Sequence, residues 1–134
     1  MFKLAAVTPE KVVFEQDVVS IIAPGAIGYL GVLTDHAPLI TPLLPGRLQV
    51  KDADGKEAQY FVAGGFLEVS KNLATILADA IEKPQEIDIV RAQSAEKRAR
   101  ERLEHRVDPA IDAARAEAAL KRAIWRQTIA RERQ

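Results

Sequence analysis

Arginines are the residues whose types and spacing can do chemistry in this chain. Arg98, Arg102 and Arg106 recur every four residues, and like charges at that helical spacing cost about 0.2–0.5 kcal/mol per pair. Arg115, Arg122, Arg126 and Arg133 fall on one face of a second helical stretch, and Arg91 opens the first on the face that Arg98 continues. A guanidinium binds phosphate or carboxylate through paired, charge-assisted hydrogen bonds. Folded together, the two stretches are expected to bring Arg91 toward the Arg122/Arg126 pair, a setting suited to phosphate. Separated, they form a basic rod suited to an acidic protein surface.

Other chemistry is scarce. The chain has no cysteine, hence no disulfide, no thiolate nucleophile and no Cys-ligated metal. His36 has no second His or carboxylate cluster near it in sequence, so it reads as a turn or interface histidine. Gly28-Tyr29-Leu30-Gly31 lacks the following helix and the Lys-Ser/Thr of a phosphate loop. The formal net charge is zero but unevenly spread. Residues 1–84 carry seven Lys/Arg against ten Asp/Glu, about −3, and residues 85–134 carry twelve against nine, about +3. An anionic partner for the second part follows, with a plain solvated helix surface as the other reading.

The helices that position these arginines are written in the last third. Asp88 is placed to cap a helix running to about Glu104, with Ala92, Ala95, Ala99 and Leu103 on one stripe. His105-Arg106-Val107 reads as the turn and Asp108-Pro109 as the second helix start. That helix carries a small stripe (Ala113, Ala116, Leu120, Ala123) and a bulkier one (Ile111, Ala118, Trp125, Ile129). Burying an alanine methyl contributes about 0.8 kcal/mol, against about 1.5–3 for a leucine. A seam built mostly of alanine is therefore expected to close weakly, within reach of a ligand.

The first 84 residues read as β structure. Phe2–Val7, Val12–Phe14, Val18–Ile22 (broken by Pro24-Gly25) and Gly28–Leu33 are strand-like. Residues 34–46 read as a loop-rich connection because of Pro38, Pro42 and Pro45-Gly46. Asp52-Ala53-Asp54-Gly55 is a strong hairpin signal between 48–51 and 58–62, and two further strands follow at 66–69 and 73–77. Roughly eight to ten short strands with frequent turns favour an antiparallel sandwich or barrel, and Lys83-Pro84 marks its boundary. Met1-Phe2-Lys3-Leu4 has no basic region followed by an apolar core, so no secretory leader is expected. No stretch has bilayer-spanning apolar length, and membrane contact is expected to be indirect.

Taken together, Val7-Thr8-Pro9-Glu10, GYLGVLTDHAPLIT (28–41), GGFLEV (64–69), IDIVRA (87–92) and RAEAALKRAIWR (115–126) closely resemble the epsilon-subunit family of the rotary F-type ATP synthase, over essentially the full length. The resemblance implies a ten-stranded antiparallel β-sandwich over 1–84 and a two-helix antiparallel hairpin over 85–134. It implies a non-catalytic, central-stalk role with the gamma subunit and the c-ring as partners, coupling proton flow to rotation. The alpha and beta subunits would be met when the hairpin extends and inhibits ATP hydrolysis. Location would be peripheral, on the cytoplasmic face of a bacterial membrane, with the plastid thylakoid as the other setting. By the same resemblance ATP is a regulatory ligand of the folded hairpin. Glu82 and the Asp88 region would meet adenine, Arg91, Arg122 and Arg126 the phosphates, and Ile87 and Ala92 would shape the pocket; Mg2+ stays open. The rival readings are a basic helical nucleic-acid-binding module on a sandwich and a small barrel enzyme. Few aromatics and arginines interleaved with acids count against the first. The lack of a His/Asp/Glu constellation counts against the second.

Overall fold

The two β-branched runs at Val12 and Val18 form one strand rather than two. In the computed structural model, which describes residues 1–132, the order is β1 Phe2–Val7, β2 Val12–Gly25, β3 Gly28–Leu33, β4 Leu39–Leu43, β5 Gly46–Asp52, β6 Glu57–Val62, β7 Gly65–Ser70, β8 Leu73–Ala78 and β9 Ile81–Glu82. A short 3-10 turn, Pro84–Glu86, leads into α1 Ile89–Glu104 and α2 Ala113–Arg131. The chain divides into two compact units, Met1–Lys83 and Pro84–Gln134.

β2 runs through Glu15-Gln16-Asp17 because those residues pair with β1, where Lys3 lies opposite Asp17. A solvated sheet face accepts such a charged pair. Pro24 is the penultimate residue of β2, opposite Tyr29, near a strand end where its missing N–H costs least. The stretch 34–46, expected as a connection, contains β4. Its Pro42 faces Phe66 across an antiparallel pairing with β7. β4 pairs in register with β2 only at Gly25 and Leu43, so a proline is tolerated on this thinly paired side.

Two expectations about the sandwich are corrected. Among the described residues it has nine strands rather than the ten that the resemblance implies; of the eight stretches read as strands from the sequence, two merge into the long β2, and β4 and β9 are added. Nor is it wholly antiparallel: β1 runs parallel to β8, with Leu4 beside Ala74 and Ala6 beside Ile76. Because β1 also pairs with β2, the strands β1-β8-β7-β4-β2 close into a ring, and β5-β6-β9 extend from β2. Closure removes exposed edges. Leu4, Val18, Leu48, Val62, Leu67 and Ile76 are fully buried in the core, and Phe14 stacks on Tyr60 with ring centroids 4.9 Å apart. The alternation along β8, where Ala74, Ile76 and Ala78 are buried and Leu73 and Leu77 exposed, is that of a half-buried strand. The Asp52–Gly55 turn forms as expected. Asp52 Oδ1 accepts from the N–H groups of Asp54 and Lys56, both at 2.9 Å, and Gly55 supplies the left-handed φ of +83°.

In the second unit Asp88 caps α1, its Oδ1 accepting from Arg91 N at 3.0 Å. α2 starts later than Asp108-Pro109 suggests. Asp108 instead holds an isolated turn, accepting Ala110 N on its carboxylate at 2.9 Å and Ile111 N on its carbonyl at 2.9 Å. Asp112 then takes the extended cap conformation and binds Arg115 N at 3.0 Å. Two aspartates compete for the same job, and the one followed by an uninterrupted run of helix formers wins. Ala92 and Ala99 of α1 and Ala116, Ala123 and Ala130 of α2 are buried, with Ala95, Leu103 and Leu120 partly so. The 3-10 turn packs against α2.

Candidate functional site

Six of the seven candidate ligand residues belong to the second unit; Glu82 belongs to β9 of the first, opposite Phe61. Ile87 and Ala92 are buried, while Asp88 and Arg91 are exposed. The Asp88 carboxylate is engaged as the helix cap. Arg122 and Arg126 are half-buried and one turn apart on α2, so their guanidinium groups can share one anion. Arg98, Arg102, Arg106 and Arg115 are exposed. Arg106 Nη1 lies 4.0 Å from a Glu117 carboxylate oxygen, an exposed pair of little worth. Arg133, expected on the same α2 face, lies outside the described residues.

Two side-chain contacts mark the register of the hairpin. Gln127 of α2 meets Glu96 of α1, and Glu117 meets Arg106. Read along antiparallel helices, this puts Arg126 level with Lys97, Arg122 level with Glu101, and Arg91 level with Glu132. At a rise of 1.5 Å per residue, Arg91 is thus offset along the axis by about 9 Å from Arg126 and about 15 Å from Arg122. Closing the hairpin does not set these arginines at one height. The donor set suits an extended anion such as a polyphosphate better than a compact one. Among the described residues no group of three or more His, Cys, Asp or Glu is placed to hold a metal ion.

Gln127 escaped the reading of the sequence. It is the only buried polar or charged residue among those described, 6% exposed, and it continues the stripe of Ala116 and Ala123. Its Nε2 donates to Glu96 Oε1 at 2.7 Å and to the Ala123 carbonyl at 3.2 Å, and its Oε1 accepts from Arg131 Nη2 at 3.4 Å. The other Glu96 oxygen accepts from Arg100 Nε at 2.8 Å. These bonds, Arg100 first and Gln127 second, hold the Glu96 carboxyl below its usual range against an opposing effect of burial, with the charges of Arg100 and Arg131 adding to them.

The first unit carries a different kind of site. On the outer face of β4, β7 and β8, Pro42, Phe66 and Leu77 stand in one cross-strand row, and all three side chains are exposed. Ile40, two residues from Pro42 and so on the same face, is 71% exposed. At the β2–β3 turn Ile27 is fully exposed and Tyr29 largely so. An apolar patch of this kind on a sheet marks a partner surface. His36 is half-buried, with Nδ1 2.7 Å from the Ala37 carbonyl. Neighbouring Asp35 is fixed in a left-handed conformation, its N–H donating to Asn72 Oδ1 at 2.9 Å.

A sandwich with an apolar outer face, followed by an alanine-seamed and arginine-bearing hairpin, defines a two-part binding protein. Residues 1–84 match the family described as ATP synthase, Delta/Epsilon chain, beta-sandwich domain, and residues 85–130 match ATP synthase, Delta/Epsilon chain, long alpha-helix domain. The chain belongs to the ATP synthase delta/epsilon chain family, and is a non-catalytic chain. It is 49% identical to the ATP synthase epsilon chain of Moorella thermoacetica over 92% of its own length and 91% of that relative. It is 46% identical to that of Caldanaerobacter subterraneus over 96% and 93%. Among solved structures it resembles a chain in the Euglena gracilis mitochondrial ATP synthase, with a TM-score of 0.78 and 28% identity, covering 90% of this chain and 76% of that one.

Proposed function

We propose that this chain is the central-stalk epsilon subunit of an F-type, proton-translocating ATP synthase, and that its hairpin is a brake on ATP hydrolysis. The reading is supported by relatives named ATP synthase epsilon chain along nearly the whole length and by likeness to a chain of a structure containing F1 and c-ring. The observation that carries the brake is the seam of small buried side chains, Ala92 and Ala99 on α1 and Ala116, Ala123 and Ala130 on α2, joining two helices rich in arginine. Such a seam allows close approach but supplies little apolar burial.

In this reading the Pro42–Phe66–Leu77 face docks on the gamma subunit, and the Ile27/Tyr29 turn meets the c-ring. Contact with the membrane is then indirect, at its cytoplasmic face; among the described residues no helix is long and apolar enough to cross one. Released from the folded pose, the hairpin lies along gamma and its exposed Arg98, Arg102 and Arg106 meet acidic segments of the alpha and beta subunits. ATP favours the folded pose. Arg91, Arg122 and Arg126 would hold its phosphates, the Asp88 region would face adenine, and Ile87 and Ala92 would line the pocket. A ligand at a hundred times its dissociation constant stabilises the form it binds by about 2.7 kcal/mol, enough to govern a weakly held pair of helices.

The decisive experiment compares complexes assembled with the full chain and with a chain ending at Lys83. Both should assemble with gamma, and the shortened one should hydrolyse ATP faster. Equal hydrolysis in the two complexes removes the brake from the hairpin.

A further inference from the structure

The alanine seam explains how the helices approach, but not what selects one pairing of them. The buried alanines repeat every seven residues, Ala92 and Ala99 on α1 and Ala116, Ala123 and Ala130 on α2, so a shift of two turns replaces alanine by alanine and changes the packing little. Gln127 breaks that degeneracy. In the observed register its buried amide donates to an ionised Glu96 across the hairpin at 2.7 Å, and a bond to an ionised acceptor is the stronger kind. Shifted by two turns either way, Gln127 would face Ile89 or Leu103, and its buried N–H would lose that acceptor. The two groups are also held from behind. Arg100 grips the far oxygen of Glu96 at 2.8 Å and Arg131 reaches the amide oxygen of Gln127 at 3.4 Å, so neither side chain is free to turn away cheaply.

We infer that Glu96 and Gln127 form an interhelical latch that fixes the register of the folded hairpin and holds it closed without any nucleotide. Specifying register is the best-attested use of a polar group in an otherwise apolar helix seam. The latch rests on the two-pose reading of the hairpin given above. It adds a determinant inside the fold, separate from the arginines assigned to ATP.

The test uses the full-length protein alone, with no nucleotide, and reads amide hydrogen exchange in α1 and α2, with the strands as internal control. The set is Glu96→Ala, Gln127→Ala, the double variant, and the swap E96Q/Q127E. Alanine is the better helix former, so faster exchange cannot come from lost helix propensity. Each single change should speed hairpin exchange about ten-fold, equivalent to about 1.4 kcal/mol. The double variant should be no worse than either single one, and the swap should recover most of the protection. Strand exchange should stay unchanged. Unaltered exchange in the single variants, additive effects in the double, or no recovery by the swap overturns the latch. The brake is judged by hydrolysis in the assembled complex, so either result can fail while the other stands.

Discussion

Phe66 on β7 stands directly opposite Leu77 on β8, and both side chains are about half exposed, 52% and 47%. Their β7 neighbour Leu67 points inward and is completely buried. The pair is therefore apolar surface held out by the strand's own alternation, beside Pro42. Replacing Phe66 with Glu should leave the fold intact, since exposed positions away from special features change stability by about 0.5 kcal/mol or less. It should weaken association with the gamma subunit by about 30-fold or more, the scale of a central contact residue. Interferometry on immobilised gamma checks this, and an unchanged dissociation constant moves the gamma interface elsewhere.

Gly65 opens the same strand under a different constraint. Its φ of +141° is disfavoured for L residues, and a Cβ built there would stand 2.0 Å from the Leu77 carbonyl oxygen and 2.8 Å from the Ala78 Cα. Both obstacles are backbone, so neither yields easily. Gly65→Ala should destabilise the sandwich by about 2 kcal/mol or more, seen as a lower urea midpoint with unchanged slope. An unshifted midpoint would mean that β7 and β8 can separate there at little cost.

Arg122 and Arg126 are the arginines best placed to act together, one turn apart and half-buried on α2. Changing either to Ala should weaken ATP binding by the isolated protein about ten-fold to a hundred-fold, the worth of a charge-assisted contact. The sandwich should remain folded. Titration calorimetry on wild type and variants measures it, and equal affinities take these residues out of the site. Arg91→Ala is predicted to be milder, because its offset confines it to one end of the anion.

Local chemistry was readable in the sequence; geometry spanning distant segments was not. The Asp52–Gly55 hairpin and the Asp88 cap announce themselves through residues within a turn of each other. β4 stayed hidden because Pro38 and Pro42 argue against a strand, and only the partner β7, some 25 residues away, makes Leu39–Leu43 into one. The parallel β1–β8 pairing joins the two ends of the domain, which no local pattern encodes. The arginines illustrate the same limit. A three-residue turn centred on Arg106 would set Arg91 level with Lys121, beside Arg122. With Asp112 rather than Asp108 as the cap, the connection lengthens and the register moves Arg91 level with Glu132. The types of the site residues were legible, but their heights depended on which aspartate capped α2. Gln127 carries no signal of its own in the sequence; only that register gives it Glu96.

The Glu96 carboxyl makes the hairpin sensitive to acid in a predictable direction. Its protonation is disfavoured in the folded pose by Arg100 on its own helix, by the amide of Gln127, and by the charge of Arg131 on the partner helix, so it titrates below the ordinary value of 4.5. A group whose folded pKa is depressed adds stability that is complete above the ordinary value and fades as pH falls through the folded one. Arg100 acts within α1 whether or not the helices are closed, so the part that depends on closure comes from Gln127 and Arg131. Through it the hairpin should hold its pose at neutral pH and loosen as the pH drops below 4.5. Trp125, the single tryptophan of the chain, sits half-buried on α2 and its fluorescence can follow the change. Glu96→Gln should start from a looser hairpin at neutral pH and lack this component of the acid transition. Every other side chain is the same in both proteins, so the difference between the two curves isolates Glu96. Superimposable curves would show that the carboxylate charge gives the closed hairpin nothing that a neutral amide does not.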